Sequence, residues 1–356
     1  MKRRILFSLL LCMALLFALP ALAADEPKVL DTEEIDQLLA PYLEKYEATE
    51  KNLGIAFLYT GTGESYFLHE DKAFYSASLY KVPLCMHYAE RISEGELDWS
   101  DKWRGQTLEH LISRTLLYSD NSTASGLMFM DKDILYDNAA FRTYCALSEE
   151  DLQKLGDKYQ FTPRFMLNTL RTLYEEPERF PRIMDYLMDA APGNYFEAKL
   201  EDRYDIAQKY GQWEGVLHTA GVIYTPTPIL LVVMCDRLHG QREAIAEFAE
   251  LFSDYALTLD ARLAELKAEE EQRLKEEEEA ARIAEEEAAQ KAAAEKAARL
   301  AAEEAARTAA AEEKAQKLVE EAEAAKRQVL LRAAGCFALV FVLLLFAWLR
   351  RRRTRI

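Results

Sequence analysis

The chain has 356 residues, half of them hydrophobic by composition (50%), and a formal net charge of −17. Such acidity excludes a basic nucleic-acid footprint, and five scattered cysteines do not make a disulfide framework. Neither CxxC nor HExxH occurs, so the sequence supports no metal site and implies no cofactor, and the lack of G-x-S-x-G argues against an α/β-hydrolase.

Lys2-Arg3-Arg4, an apolar run from Ile5 to Leu19 and Ala21-Leu22-Ala23 form the pattern of a secretory signal peptide over residues 1–23. Cys12 falls inside that run and leaves with it. The mature chain is therefore expected to begin at Ala24, outside the cytoplasm. Its globular part spans residues 24–258, enough chain for a proper core.

Within it, Asp31 to Tyr46 reads as an amphipathic helix with Ile35, Leu38, Leu39 and Leu43 on one side. Ile55 to Thr60 and Ser65 to Leu68, joined through Gly61-Thr62-Gly63, read as a hairpin. A helix opens at Ser78, and the stretch from Leu108 to Leu187 is mostly helical in period. Three β-rich runs follow: Tyr204 to Gly211, Val216 to Thr225 and Pro228 to Cys235. The last is almost wholly apolar, which marks a central strand. A helix from Gln241 to Tyr255 closes the domain. Strands at both ends with helices between predict an α+β fold, an antiparallel sheet flanked by helices with an all-helical insertion.

Beyond this, residues 259–331 are almost entirely Ala, Glu, Lys, Arg and Gln, without Gly or Pro. These are strong helix formers with many opposite-charge pairs at helical spacing. Leu263, Leu266, Leu274, Ile283, Leu300 and Leu318 keep no heptad seam. A solvated single-helix stalk fits best, while a loose alanine-rich coiled coil leaves self-association through the stalk open. Residues 332–350 are uncharged between Arg332 and Arg350 and read as one transmembrane helix. The basic tail 351–356 then lies in the cytoplasm, with the globular domain outside the cell membrane.

The chemistry centres on Ser78-Leu79-Tyr80-Lys81. Ser and Lys three apart share a helix face, and a buried amine that loses its proton near neutral pH can act as base toward the hydroxyl. Alone, that spacing also opens ordinary helices. It is followed, however, by Ser119-Asp120-Asn121 and then by Lys209-Tyr210-Gly211. This order resembles the S-x-x-K, S-D-N, K-T-G set of class A β-lactamases and penicillin-binding proteins. The resemblance covers roughly residues 30–256, including Val82-Pro83-Leu84 after the nucleophile and Phe161-Thr162-Pro163 below the site. His218-Thr219-Ala220-Gly221 falls one strand too late to be the third motif.

The resemblance implies that Ser78 is acylated, Lys81 takes its proton and Ser119 passes a proton to the leaving nitrogen. It further implies that Asn121 holds the substrate amide and Lys209 attracts the substrate carboxylate and supports Ser119. The oxyanion would lie between the backbone N–H groups of Ser78 and Gln212. Tyr210 stands where the family has Thr or Ser. For deacylation the family's β-lactamases use E-x-x-L-N; the nearest match is Glu149-Glu150-Asp151-Leu152-Gln153, which makes Glu149 the candidate base. A membrane-tethered β-lactamase, a D-Ala-D-Ala peptidase acting on peptidoglycan stem peptides, and a non-catalytic wall-binding protein all remain open here.

Overall fold

The computed structural model describes residues 28–131, 139–155 and 159–353. The expected signal peptide, 1–23, and residues 354–356 of the tail lie outside that range. The chain divides into two compact units, one up to residue 269 and one from 270 onward.

The first unit opens with α1 (Thr32–Lys45), capped by the Asp31 carboxylate, which accepts from the Glu33 and Glu34 N–H groups. Ile35 and Leu39 are buried, whereas Leu38, expected on the same side, is 39% exposed at the edge of the stripe. Strands β1 (Leu53–Tyr59) and β2 (Ser65–Leu68) form the expected hairpin. Late in the chain come β7 (Ile206–Trp213), β8 (Val216–Ile223) and β9 (Ile229–Asp236). Among the described residues these form one antiparallel sheet in the order β2-β1-β9-β8-β7. The most apolar run, β9, is its middle strand.

Both faces of this sheet are covered, which is why its inner strands read as unbroken apolar runs rather than as alternation. Ala56, Ala220, Val222 and Val232 face one core, built with the helices that follow the nucleophile turn. Ile55, Phe57, Leu231 and Val233 face the other, beneath the start of the C-terminal helix. Phe57 stacks there on Phe252, with ring centroids 4.8 Å apart.

The insertion carries the rest of the site. β3 (Phe74–Tyr75) leads into a 3-10 turn, Ala77–Tyr80, and then α2 (Lys81–Ser93). Ser78 therefore sits on a 3-10 turn, not on the first α-helical turn that the sequence predicts. Tight contact with the strand behind it, described below, shapes that turn. After β4 (Lys102–Trp103) and β5 (Gln106–Thr107), which pair with each other, come α3 (Leu108–Leu117), α4 (Asn121–Met130), α5 (Ala139–Arg142), α6 (Glu149–Leu155) and α7 (Pro163–Glu175), with β6 (Gln160–Phe161) pairing with β3 before α7. Cys85, Cys145 and Cys235 are buried free thiols.

The final helix is α8 (Gln241–Arg353). Its packed face runs past the expected domain edge at 258, because Phe252, Ala256, Leu259 and Leu263 continue one buried stripe at helical spacing. The Tyr59 hydroxyl donates to Asp260 (2.6 Å), and Arg262 pairs with Glu34 (2.8 Å), so these residues belong to the globular unit.

In the second unit the helix is exposed from 270 to 350. Its charges pair along the surface, as in Lys275 with Glu271 (2.6 Å) and Lys317 with Glu313 (2.8 Å). Towards its end lies a segment long and apolar enough to cross a membrane. Phe337, Phe341 and Phe346 are all exposed on it.

Candidate active site

The nucleophile turn is held from behind. The Ser76 N–H donates to the Tyr159 carbonyl (2.7 Å), and β3 pairs with β6 on either side of it. Beneath lies His218 on β8, fully buried, whose Nε2–H donates to the Tyr75 carbonyl (2.9 Å). Its Nδ1 accepts from the Cys235 N–H (3.1 Å), so both ring nitrogens are used and the ring is neutral. Burial lowers its pKa from the usual 6.5 to about 4. Ala77, just before Ser78, adopts the left-handed region (φ 46°), a strain such sites often store.

β7 passes directly against this turn. A Cβ at Gly211 would stand 2.9 Å from both the Ser76 carbonyl oxygen and the Ser78 amide nitrogen. Glycine is required there for close approach, not for its dihedral freedom. The same approach sets Gln212, whose side chain is exposed, one residue beyond the Ser78 amide's neighbour.

On a 3-10 turn side chains three apart eclipse, so Ser78 and Lys81 rise on one side. Ser78 is half-buried, and among the described hydrogen bonds none engages its hydroxyl. Lys81, fully buried, donates from Nζ to the Ser119 carbonyl (2.6 Å), to Asn121 Oδ1 (2.7 Å) and to Ser119 Oγ (3.3 Å). Burial brings its pKa down to about 8. Ser119 is in the left-handed region (φ 55°). Asp120 then caps α4, accepting from the Ser122 and Thr123 N–H groups at 2.8 and 3.3 Å. The cap makes Asn121 the first residue of α4, with its amide on Lys81. Three of the expected residues thus converge around one amine: Lys81, Ser119 and Asn121.

Lys209 is on β7, fully buried, and burial holds its amine well below the usual lysine range, with the neighbouring Lys81 adding to the effect. Its Nζ donates to the Tyr210 carbonyl (3.0 Å) and lies 4.3 Å from the centre of the Tyr210 ring. Among the described hydrogen bonds none links Lys209 to Ser119, the contact that the resemblance implies. Tyr210 itself stacks on Tyr195.

Glu149 is not gathered into this cluster. It is the first residue of α6 and exposed, and no described hydrogen bond joins it to Ser78, Lys81 or Ser119. The reason is local. Ser148 caps α6 by accepting from the Asp151 N–H (3.2 Å), which leaves Glu149 on the solvated first turn, where an acid suits the helix dipole. His218 is the site residue that the motif reading sets aside, in a His-Thr-Ala-Gly run one strand too late; its sequence signal is a histidine in a largely apolar strand.

The model of the β-lactamase enzyme family matches residues 32–256 of the chain. No curated protein sequence matches it. Among solved structures, a β-lactamase from Xanthomonas campestris pv. campestris is 20% identical, with a TM-score of 0.51 over 62% of this chain and 97% of its own. The class A β-lactamase of the last common ancestor of Gram-negative bacteria is 24% identical, with a TM-score of 0.51 over 61% and 98%. An ancestral class A β-lactamase is 21% identical, with a TM-score of 0.50 over 64% and 100%. At these identities the likeness bears on the fold alone.

Proposed function

The chain belongs to the β-lactamase enzyme family and is a serine hydrolase, and from that premise we propose that Ser78 is its nucleophile, that β-lactams acylate it, and that it hydrolyses them slowly. The observation that carries this reading is the buried Lys81 amine, one 3-10 turn from Ser78 and bonded to both Ser119 and Asn121. With a pKa brought down to about 8, a useful fraction of that amine is neutral at physiological pH. It accepts the Ser78 proton as Oγ bonds to the β-lactam carbonyl carbon. The C–N bond then breaks, and Ser119 delivers its proton to the leaving nitrogen while taking the one held by Lys81, 3.3 Å away. The amide N–H groups of Ser78 and Gln212 stabilise the oxyanion. Water finally cleaves the ester and restores Ser78.

Slowness enters at that last step, since Glu149 on its solvated helix turn supplies no base beside Ser78. The same observation favours a second reading, a D-Ala-D-Ala peptidase that β-lactams trap as an acyl-enzyme. A fluorescent penicillin should label the full chain once, at Ser78, and a chromogenic cephalosporin should give a burst of one equivalent before a slow steady rate. Labelling that survives Ser78→Ala removes the nucleophile assignment, and rapid turnover without a burst removes the slow step. Release of D-alanine from a stem-peptide substrate would favour the peptidase.

The reading also places the enzymatic unit outside the cell membrane, with residues 332–350 crossing it and the arginine tail in the cytoplasm. Protease added to intact spheroplasts should release the enzymatic unit and leave a short membrane-bound C-terminal fragment. Arginine residues of the tail cut from outside would contradict that orientation.

A further inference from the structure

Lys209 lies on β7, an edge strand of the described sheet, yet it is fully buried. Its amine is turned onto its own neighbour. Lys209 Nζ lies 4.3 Å from the Tyr210 ring centre, and the hydrogen bond it makes goes to the Tyr210 carbonyl, 3.0 Å away. The amine thus has a ring face and a carbonyl as partners in place of a carboxylate.

The ring is fixed from its other side. It stacks on Tyr195 with centroids 4.7 Å apart and planes 17° from parallel. Tyr195 is itself only 5% exposed and carries the Arg242 guanidinium 4.8 Å above its ring. A short hydroxyl side chain at position 210 would form none of this stack and would offer the Lys209 amine no ring face. The Tyr210 hydroxyl makes no hydrogen bond among the described residues, so what holds the side chain is the stack.

We propose that Tyr210 is a specificity-determining residue that withholds Lys209 from the substrate, so that the site accepts acyl donors with no free carboxylate beside the scissile amide as readily as those that bear one. This rests on acylation at Ser78. Its substrate class accordingly extends to acyl donors neutral at that position, an ester or amide where an ordinary β-lactam or stem peptide is anionic.

Benzylpenicillin and its methyl ester differ only in that charge, so the ratio of their acylation rates on the full-length chain reads the inference directly. For the wild-type chain the two rates should agree within about threefold. Tyr210→Thr should raise the acid over the ester by about tenfold or more, the scale of one charge-assisted hydrogen bond. Tyr210→Phe, which keeps the ring, should retain the wild-type ratio, and thermal melting checks that each variant is folded. A wild-type chain that already favours the acid tenfold overturns the inference, as does an unchanged ratio in Tyr210→Thr. Should neither compound acylate Ser78, the proposed function fails. The affinity ratio for the same pair, measured by calorimetry on Ser78→Ala with and without Tyr210→Thr, then decides this inference separately: no preference for the acid in the double variant overturns it.

Discussion

Replacing Lys81 with Gln is expected to slow acylation of Ser78 by about 10²- to 10⁴-fold, the usual worth of a positioned general base. Gln is close to lysine in length and keeps an amide to hydrogen-bond Ser119 and Asn121, so the change removes the base more than the packing. The pH dependence separates the two. Only the neutral amine accepts a proton, so wild-type acylation should climb with pH and level off above about 8, where Lys81 is deprotonated. In the Gln variant that rise should disappear. Stopped-flow acylation between pH 6 and 9.5 measures both. A variant within tenfold of wild type, or one that keeps the rise, would take the base role from Lys81.

Much of this site is legible because its parts are local. Asp31 announces a helix start by its residue type, and the apolar run from Ile229 to Cys235 announces a strand with both faces covered. The order Ser78, Lys81, Ser119, Asn121 and Lys209 needs no coordinates to be seen. What escapes the sequence depends on partners distant along the chain. The 3-10 turn at Ser78 follows from Gly211 pressing on Ser76 and Ser78 and from His218 gripping Tyr75, residues more than a hundred positions later. The placing of the Tyr210 ring beside Lys209 depends on a stack with Tyr195, whose backbone is in the left-handed region (φ 57°), a conformation that its residue type does not signal. The placement of Glu149 turns on Ser148 acting as a cap, which a search for E-x-x-L-N does not test. The change of composition puts the domain edge at 258, whereas the buried stripe keeps its period to Leu263.

Stability should fall as pH drops from about 6.5 to about 4, and His218 should account for a large share of the loss. Its pKa is about 4 when folded and 6.5 when the chain is open. Above 6.5 both states are neutral and the full folding free energy is present. Below 6.5 the unfolded chain takes up a proton that the folded chain refuses until about pH 4, so the native state loses ground across that window. The difference corresponds to about 3 kcal/mol at most, or somewhat over a hundredfold in the folding equilibrium. The physical cause is burial, which penalises the charged ring, and Nδ1, which accepts from the Cys235 N–H, cannot do so once protonated. His218→Leu removes the titration but leaves the Tyr75 carbonyl and the Cys235 N–H unpaired in the core, at about 1–3 kcal/mol each. That variant should be weaker than wild type at pH 7.5 and should lose less between pH 6.5 and 4. Urea unfolding followed by tryptophan fluorescence, at several pH values for both chains, gives the two slopes. Parallel pH profiles would show that His218 is not the titrating group. A variant as stable as wild type at pH 7.5 would show that its two hydrogen bonds do not hold the nucleophile strand in place. If both effects appear, the histidine that anchors Tyr75, three residues before Ser78, also makes the enzyme sensitive to acid.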